Sequence, residues 1–164
     1  MTFSEHVKRN KYTIYCDMDG VLVWFDKMFK SRSNLLDRKD QSPEVQEKVW
    51  KFLGAQDKTF WSEMEWMPDG SELWDFVKDL DTKICSTPVR NDASKVGKLE
   101  WCEKNLGKDV PVILTEDKEE YAGPTHILID DRESNIDKWV ANKGIGILHK
   151  NTKESIRQLK EIFD

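Results

Sequence analysis

The sequence predicts an α/β, Rossmann-like three-layer sandwich: a mainly parallel sheet between helices, with a small helical cap inserted after the first strand. Three observations predict it. Short apolar runs alternate with amphipathic stretches of helical length along the 164 residues, the pattern of strand–helix units. Those runs are apolar at almost every position, as strands covered on both faces are. Several of them also end in acids or hydroxyl residues, at the edge of a parallel sheet where ligands bind.

Residues 1–11 are polar and read as a short lead-in. The first strand spans Tyr12–Cys16, Gly20 allows a sharp turn after it, and Val21–Phe25 packs beneath as the chain leaves. Residues 26–66 differ in texture. Lys30–Gln41 is charged and weakly periodic. Ser42-Pro43-Glu44 then has the form of a helix start: a capping hydroxyl, proline at the first helical position and an acid in the first turn. Val45, Val49, Trp50, Phe52 and Leu53 share one face of that helix, and Gly54 ends it. The segment Phe60–Trp66 is rich in aromatics. The predicted division is therefore a core domain of residues 1–25 and 67–164 with a cap of residues 26–66.

Pro68-Asp69-Gly70 marks a turn, and Leu73, Trp74, Phe76, Val77 and Leu80 form a helical stripe. The second strand is Lys83–Cys85, followed by Ser86-Thr87-Pro88. A helix over Ala93–Leu106 stops at Gly107. The third strand is Val110–Leu114, with Thr115 at its end and a loop over Asp117–Glu120. The fourth strand is His126–Ile129, ending in Asp130 and Asp131. A helix over Glu133–Asn142, a fifth strand Gly146–Leu148 and a last helix Ser155–Phe163 complete the chain.

Composition narrows the function classes. Seven Trp and seven Phe argue against disorder. A net charge of −5 gives no support to a general nucleic-acid binder, which presents a basic face. No apolar run is long enough for a transmembrane helix, and the first residues lack the form of a secretory signal. Cys16, Cys85 and Cys102 have no metal-type spacing and two of them sit in apolar runs, which suits a reducing, cytoplasmic setting.

The chemistry concentrates at two strand ends. Asp17 and Asp19 are one residue apart, so both carboxylates project to one side while Met18 points away. One can attack phosphorus while the other serves as general acid and base. Taken alone, Asp17–Gly20 could equally be an acidic turn. Asp130 and Asp131 closing a second strand favour one shared site, because acids at buried strand ends are costly without a cation among them. Mg²⁺ suits such a group of hard oxygen ligands and bridges it to a phosphate.

Asp17-Met-Asp-Gly-Val-Leu with Phe25, Ile84-Cys-Ser-Thr-Pro, Lys98-Leu-Glu-Trp-Cys-Glu-Lys, Leu114-Thr-Glu-Asp-Lys and Leu128-Ile-Asp-Asp-Arg stand in this order along the chain. Together they resemble the haloacid-dehalogenase-like phosphohydrolases, and within them the 5′(3′)-deoxyribonucleotidase branch. The resemblance runs from Tyr12 to about Leu148 and is weakest over residues 26–60. It implies Asp17 as nucleophile, forming an aspartyl-phosphate, and Asp19 as acid and base with a backbone carbonyl for Mg²⁺. It implies Ser86 as a hydrogen-bond donor to a phosphoryl oxygen, Asp130 as a direct metal ligand and Asp131 as a second acid beside it. A lysine should offset the phosphate charge; Lys118 is the first choice and Lys98 the runner-up, and either could instead be a solvated surface residue. Thr87 and Arg90 are further substrate-side candidates. One departure stands out: the branch tends to read Thr-Arg-Asp-Lys after the third strand, and here Glu116 replaces the arginine, which bears on substrate preference rather than on the core chemistry.

Phe25, Phe60, Trp61 and Trp66 could form a stacking platform for a base, or simply the small core that holds cap to domain. His6, His126 and His149 receive no role. The expected function is a Mg²⁺-dependent phosphatase, a 5′-nucleotidase acting on (deoxy)nucleoside monophosphates. The rivals are a phosphatase for another small phosphomonoester, a polynucleotide 3′-phosphatase, and a catalytically silent binding module of the same fold. The small cap favours a small-molecule partner over a polymeric nucleic acid.

Overall fold

Five strands, β1 (Thr13–Cys16), β2 (Thr82–Ser86), β3 (Val112–Leu114), β4 (His126–Asp130) and β5 (Ile145–Leu148), form one parallel sheet in the order β3-β2-β1-β4-β5. The computed structural model describes residues 2–34 and 36–164. Met1 of the lead-in and Leu35 of the inserted segment lie outside the described residues. The helices are α1 (Phe3–Arg9), α2 (Phe25–Ser33), α3 (Pro43–Gly54), α4 (Thr59–Ser62), α5 (Gly70–Val77), α6 (Asp92–Leu106), α7 (Glu133–Ala141) and α8 (Thr152–Phe163).

Alternation along each strand divides the core in two. Ile14, Cys16, Ile84, Ile127, Ile129 and Ile147 face Leu73 and Val77 of α5, Trp101 and Cys102 of α6, and Leu159 and Phe163 of α8. Tyr15, Cys85 and Leu128 face the opposite side, where Trp139 of α7 covers them. Helices therefore lie on both faces of the sheet, and the strands are apolar throughout for that reason.

Several elements differ from the sequence reading. The lead-in contains a helix, α1, opened by a reciprocal cap in which Glu5 N donates to Thr2 Oγ1 and Thr2 N to the Glu5 carboxylate. Residues 25–33 form α2, whose buried face is Phe25, Phe29 and Ser33, spaced four apart among charged neighbours. The expected loop after Asp117 is a 3₁₀ turn over Lys118–Tyr121. β2 is longer and β3 shorter than expected, and α8 begins three residues early because Asn151, not a later residue, caps it through Glu154 N at 2.8 Å.

The inserted segment leaves and re-enters the core at one point. Val23 bridges Trp66, and Trp24 N donates to Glu65 O at 2.8 Å. Between these ends stand α2, α3 and α4, joined by a run of aromatic contacts: Phe25–Phe29, Phe29–Phe52, Phe25–Phe60 and Phe60–Trp61, with ring centroids 4.9–6.0 Å apart.

Candidate active site

The order of the strands fixes where the site lies. The chain leaves β1 toward β2 and leaves β4 toward β5, in opposite directions along the sheet. This opens a crevice beyond the carboxyl ends of those two neighbouring strands. Asp17 follows β1 and Asp130 ends β4; Asp17 N donates to Ile129 O at 3.0 Å, which carries the strand pairing into the site. The chain then folds tightly: Val21, Leu22 and Val23 all donate backbone N–H groups to Met18 O. Met18 is buried in the core while Asp17 and Asp19 line a cleft of about 740 Å³. Gly20 turns the chain at φ +80°, and a Cβ there would stand 2.1 Å from Asp131 Oδ2. Both the backbone angle and the close carboxylate exclude any side chain.

Three carboxylates and one ammonium meet at the floor. Lys118 is 3% exposed, and its Nζ donates to Asp17 Oδ1 at 3.0 Å and to Asp130 Oδ2 at 2.8 Å. Asp130 is also held by Arg132 N at 2.9 Å and by the Asn135 carboxamide at 3.0 Å. Asp17, Asp130 and Asp131 can each point an oxygen so that all lie within 4.8 Å of one another. Burial, then the negative charge of Asp130, pushes the Asp17 carboxyl up to about 7 against the opposing pull of Lys118. Burial and Asp130 push Asp131 up to about 6, with Arg132 opposing. Burial works against the charge on Lys118, but Asp17 and Asp130 outweigh it and hold the amine above its ordinary value. Lys118 therefore stays charged, and it leaves the acids short of positive charge. A divalent cation of hard character fits that shortfall and this all-oxygen set.

A second arrangement stands beside the first. Asp19 Oδ2 accepts from Lys98 Nζ at 2.7 Å, and the same ammonium donates to Ser86 Oγ at 2.9 Å. Asp19 Oδ1 is buried with no hydrogen-bond partner among the described residues. Ser86 is buried at the end of β2, and Thr87 after it lines the cleft.

Not every expected residue reaches the cleft. Trp61 is fully buried against Phe60 and Gly97 and presents no face to a substrate, and Phe60 is enclosed as well. Phe25 touches the cleft only at its edge. Its ring packs on Phe29 and Phe60, and the Arg38 guanidinium covers it at 5.0 Å. Phe60 and Trp61 thus belong to a small core, with Phe25 between that core and the cleft. Lys98 is inside the protein and does not line the cleft. Arg90 points away to the surface, paired with Glu116 at 3.0 Å, so the acid at 116 occupies the cation expected near the substrate.

Other residues line the cleft in their place: Trp24, Arg38, Gln46 and Trp50 along one wall, and Arg132, Asn135, His149 and Lys150 along the other. Trp50 is 62% exposed. It shares a helix with Val49 and Leu53, but it stands one residue beyond their face, a distinction the apolar spacing alone blurs. Arg38 is bound to Asp26, with its Nε 3.0 Å from Asp26 Oδ1. His149 is buried and its Nδ1 lies 2.7 Å from Ser155 Oγ; burial lowers its pKa below the ordinary value, with Asp69 opposing.

Residues 11–158 match the family described as 5′ nucleotidase, deoxy (pyrimidine), cytosolic type C protein. Among solved structures, a hydrolase from Pseudomonas syringae superposes with a TM-score of 0.55 at 11% identity, covering 92% of this chain and 99% of that one. A hydrolase from Streptococcus pneumoniae TIGR4 superposes with a TM-score of 0.51 at 16% identity, again covering 92% of this chain and 99% of that one. At such identities the likeness speaks for the fold. No curated protein sequence matches the chain.

Proposed function

Since the chain belongs to the cytosolic type C 5′-nucleotidase family of haloacid-dehalogenase-like phosphoric monoester hydrolases, we propose that it dephosphorylates (deoxy)nucleoside monophosphates with Mg²⁺ and a phosphorylated Asp17. The observation that carries this reading is the buried Asp17–Lys118–Asp130 chain, with Asp131 beside it, at the floor of an aromatic-walled cleft. Residues 26–66 act as a cap on a core of residues 1–25 and 67–164. The cleft suits a small molecule, within the roughly 300–1,000 Å³ typical of ligand pockets. The family's cytosolic description and three free, buried cysteines support a cytoplasmic setting. Among the described residues no helix is long and apolar enough to cross a membrane.

Asp17, Asp130 and Asp131, with the Asp19 backbone carbonyl, would hold Mg²⁺. When bound, it supplies the positive charge that lets a phosphate dianion approach a carboxylate. Lys118 holds Asp17 Oδ1, which leaves Oδ2 to attack phosphorus. The Ser86 hydroxyl and the 87 backbone steady the phosphoryl oxygens as charge develops on them. As the bond to the leaving oxygen breaks, Asp19 gives that oxygen its proton. Asp19 then takes a proton from water, the water oxygen bonds to phosphorus, and the Asp17–phosphorus bond breaks to release inorganic phosphate. Trp24 and Trp50 are the aromatic faces available to a base; Arg38 offers donors beside them, and the Gln46 carboxamide, whose N–H groups are given to Arg38 O and Asp40 O, offers an acceptor.

Asp17→Asn should abolish turnover, and beryllofluoride with Mg²⁺ should be captured at Asp17. A panel of nucleoside monophosphates and sugar phosphates should show faster turnover of the nucleotides. Full activity in Asp17→Asn sinks the mechanism; equal turnover across the panel sinks the nucleotidase assignment in favour of a general small-phosphomonoester phosphatase.

A further inference from the structure

We propose that Lys98 is a positioning residue for the hydrolysis, which fixes the carboxylate of Asp19 and the hydroxyl of Ser86 relative to each other beside the cleft. The inference rests on the reading above, in which Asp19 is the acid and base of phosphoryl transfer. Lys98 is 1% exposed and does not line the cleft, so it acts through its partners and not on the phosphate.

The direction of its hydrogen bonds makes the case. An ammonium has three donors and no acceptor, so Asp19 Oδ2 and Ser86 Oγ are both acceptors toward Lys98. Asp19 Oδ1 is enclosed by protein with no hydrogen-bond partner among the described residues, while the side chain as a whole is 31% exposed, so the oxygen that can face the cleft is Oδ2, the one that Lys98 holds. Oδ2 is thus the oxygen available to exchange a proton with the leaving group, and Lys98 sets its position. Ser86 has spent a lone pair on Lys98, so its hydroxyl hydrogen points elsewhere and is free for a phosphoryl oxygen. One buried amine thus fixes where the carboxylate and the hydroxyl stand, and it ties the proton donor to the phosphate donor through a single point.

The place of Lys98 is itself fixed from the inserted segment. A Cβ on Gly97 would stand 2.4 Å from Lys58 O and 2.8 Å from Trp61 Cβ, so α6 lies in close contact with α4. Trp101 Nε1 donates to Met64 O at 2.8 Å on the next turn. The aromatic segment 60–66 therefore bears on the reaction as the seat of the helix that carries Lys98.

The test uses two substrates. A nucleoside 5′-monophosphate expels an alkoxide that needs a proton, whereas p-nitrophenyl phosphate expels a phenolate that leaves without one. In Lys98→Met, kcat/KM for the nucleotide should fall by about 10²-fold or more, the size of a misplaced general acid. For the aryl ester it should fall by about tenfold or less, so the ratio between the two shifts by about tenfold. In an Asp19→Asn background, adding Lys98→Met should leave that ratio unchanged, since the group it positions is gone. An equal fall for both substrates in Lys98→Met, or a ratio shift of the same size in the Asp19→Asn background, overturns the proposal. If Lys98→Met does not fold, Lys98→Gln, which keeps a donor without the charge, must shift the ratio in the same direction; an unshifted ratio overturns the proposal equally. Asp17→Asn separates the two levels of inference. Loss of both substrates in that variant beside an unshifted ratio in Lys98→Met removes the role of Lys98 alone, whereas activity in Asp17→Asn removes the mechanism beneath it.

Discussion

Two lysines are buried within the same site, and their surroundings could hardly differ more. Lys118 sits between two carboxylates, Asp17 and Asp130, with a third acid, Asp131, close by. Lys98 holds one carboxylate and one hydroxyl. The first region has more negative charge than its ammonium can offset, and the second is matched charge for charge. The same side chain at the same depth therefore serves as counter-ion in one place and as a director of hydrogen bonds in the other. Removing a counter-ion damages everything around it, whereas removing a director damages only the step that depends on orientation.

The largest effect that sharpens this contrast is expected from Lys118→Met. It leaves two buried acids without their ion-pair partner, and breaking a buried pair in this way costs about 3–5 kcal/mol. Urea unfolding of the metal-free variant should show a loss of that order. Turnover should fall by about 10³-fold for the nucleotide and the aryl ester alike, the scale on which a lost electrostatic contact at the phosphate acts. A substrate-dependent loss in Lys118→Met would blur the two lysines into one function.

A smaller effect comes from the overloaded acids themselves. Asp17 rises to about 7 and Asp131 to about 6 in the folded protein, from an ordinary carboxyl value of 3.8. Between the unfolded and folded values the native state binds more protons than the unfolded chain, so stability falls as pH rises. The melting temperature of the metal-free protein should drop by several degrees from about pH 4 to pH 7 and level off above that. Mg²⁺ should raise the melting temperature most at the upper end of this window, where the acids are ionised. Lys98→Met should keep this profile, because Lys98 does not touch Asp17 or Asp131. A metal-free protein that gains stability over the same window would show that the acids are already balanced.

How much of this was legible in the sequence follows the same division. Asp17, Asp19, Asp130 and Asp131 stood out because each pair closes a short apolar run, and burial of a strand makes its last residues conspicuous. Lys118 could be placed because it follows the third strand and shortly precedes the fourth. The burial of Lys98 had no such mark: it sits on a polar helix, and only the packing of Gly97 against Lys58 and Trp61 turns it inward. Trp61 was conspicuous for the wrong reason. An aromatic cluster announces burial and stacking equally well, and composition cannot tell which face meets solvent. Of the helices that escaped notice, α1 and α2 did so for opposite reasons. α1 carries an unmistakable Thr2-x-x-Glu5 cap but no buried face, and α2 has a buried face but no side-chain cap. The division into core and cap rested on texture, and the Val23–Trp66 bridge that closes the insertion joins residues too far apart in sequence for periodicity to link them.

The smallest expected effect lies away from both lysines, at Trp50. This ring is largely exposed on α3 and lines the cleft, whereas Trp61 on α4 is enclosed. Trp61→Ala should cost about 3–5 kcal/mol in stability as a core truncation. Trp50→Ala should change stability by no more than about 0.5 kcal/mol, since an exposed side chain takes little from the core. Its effect belongs to substrate binding instead: stacking on a base contributes about 1–3 kcal/mol, so KM for a nucleoside monophosphate should rise by about tenfold with kcat nearly constant. For ribose 5-phosphate, which has no base, KM should not move. The aryl-to-nucleotide comparison that identifies Lys98 rests on kcat/KM and on leaving-group chemistry. Trp50→Ala therefore supplies the control for it: a substrate preference lost through the base is abolished by removing the base, and one lost through the proton is not. If ribose 5-phosphate weakens in Trp50→Ala as much as the nucleotide does, the exposed tryptophan is not a base platform, and the choice of substrate passes to Arg38 and Gln46 on the same wall.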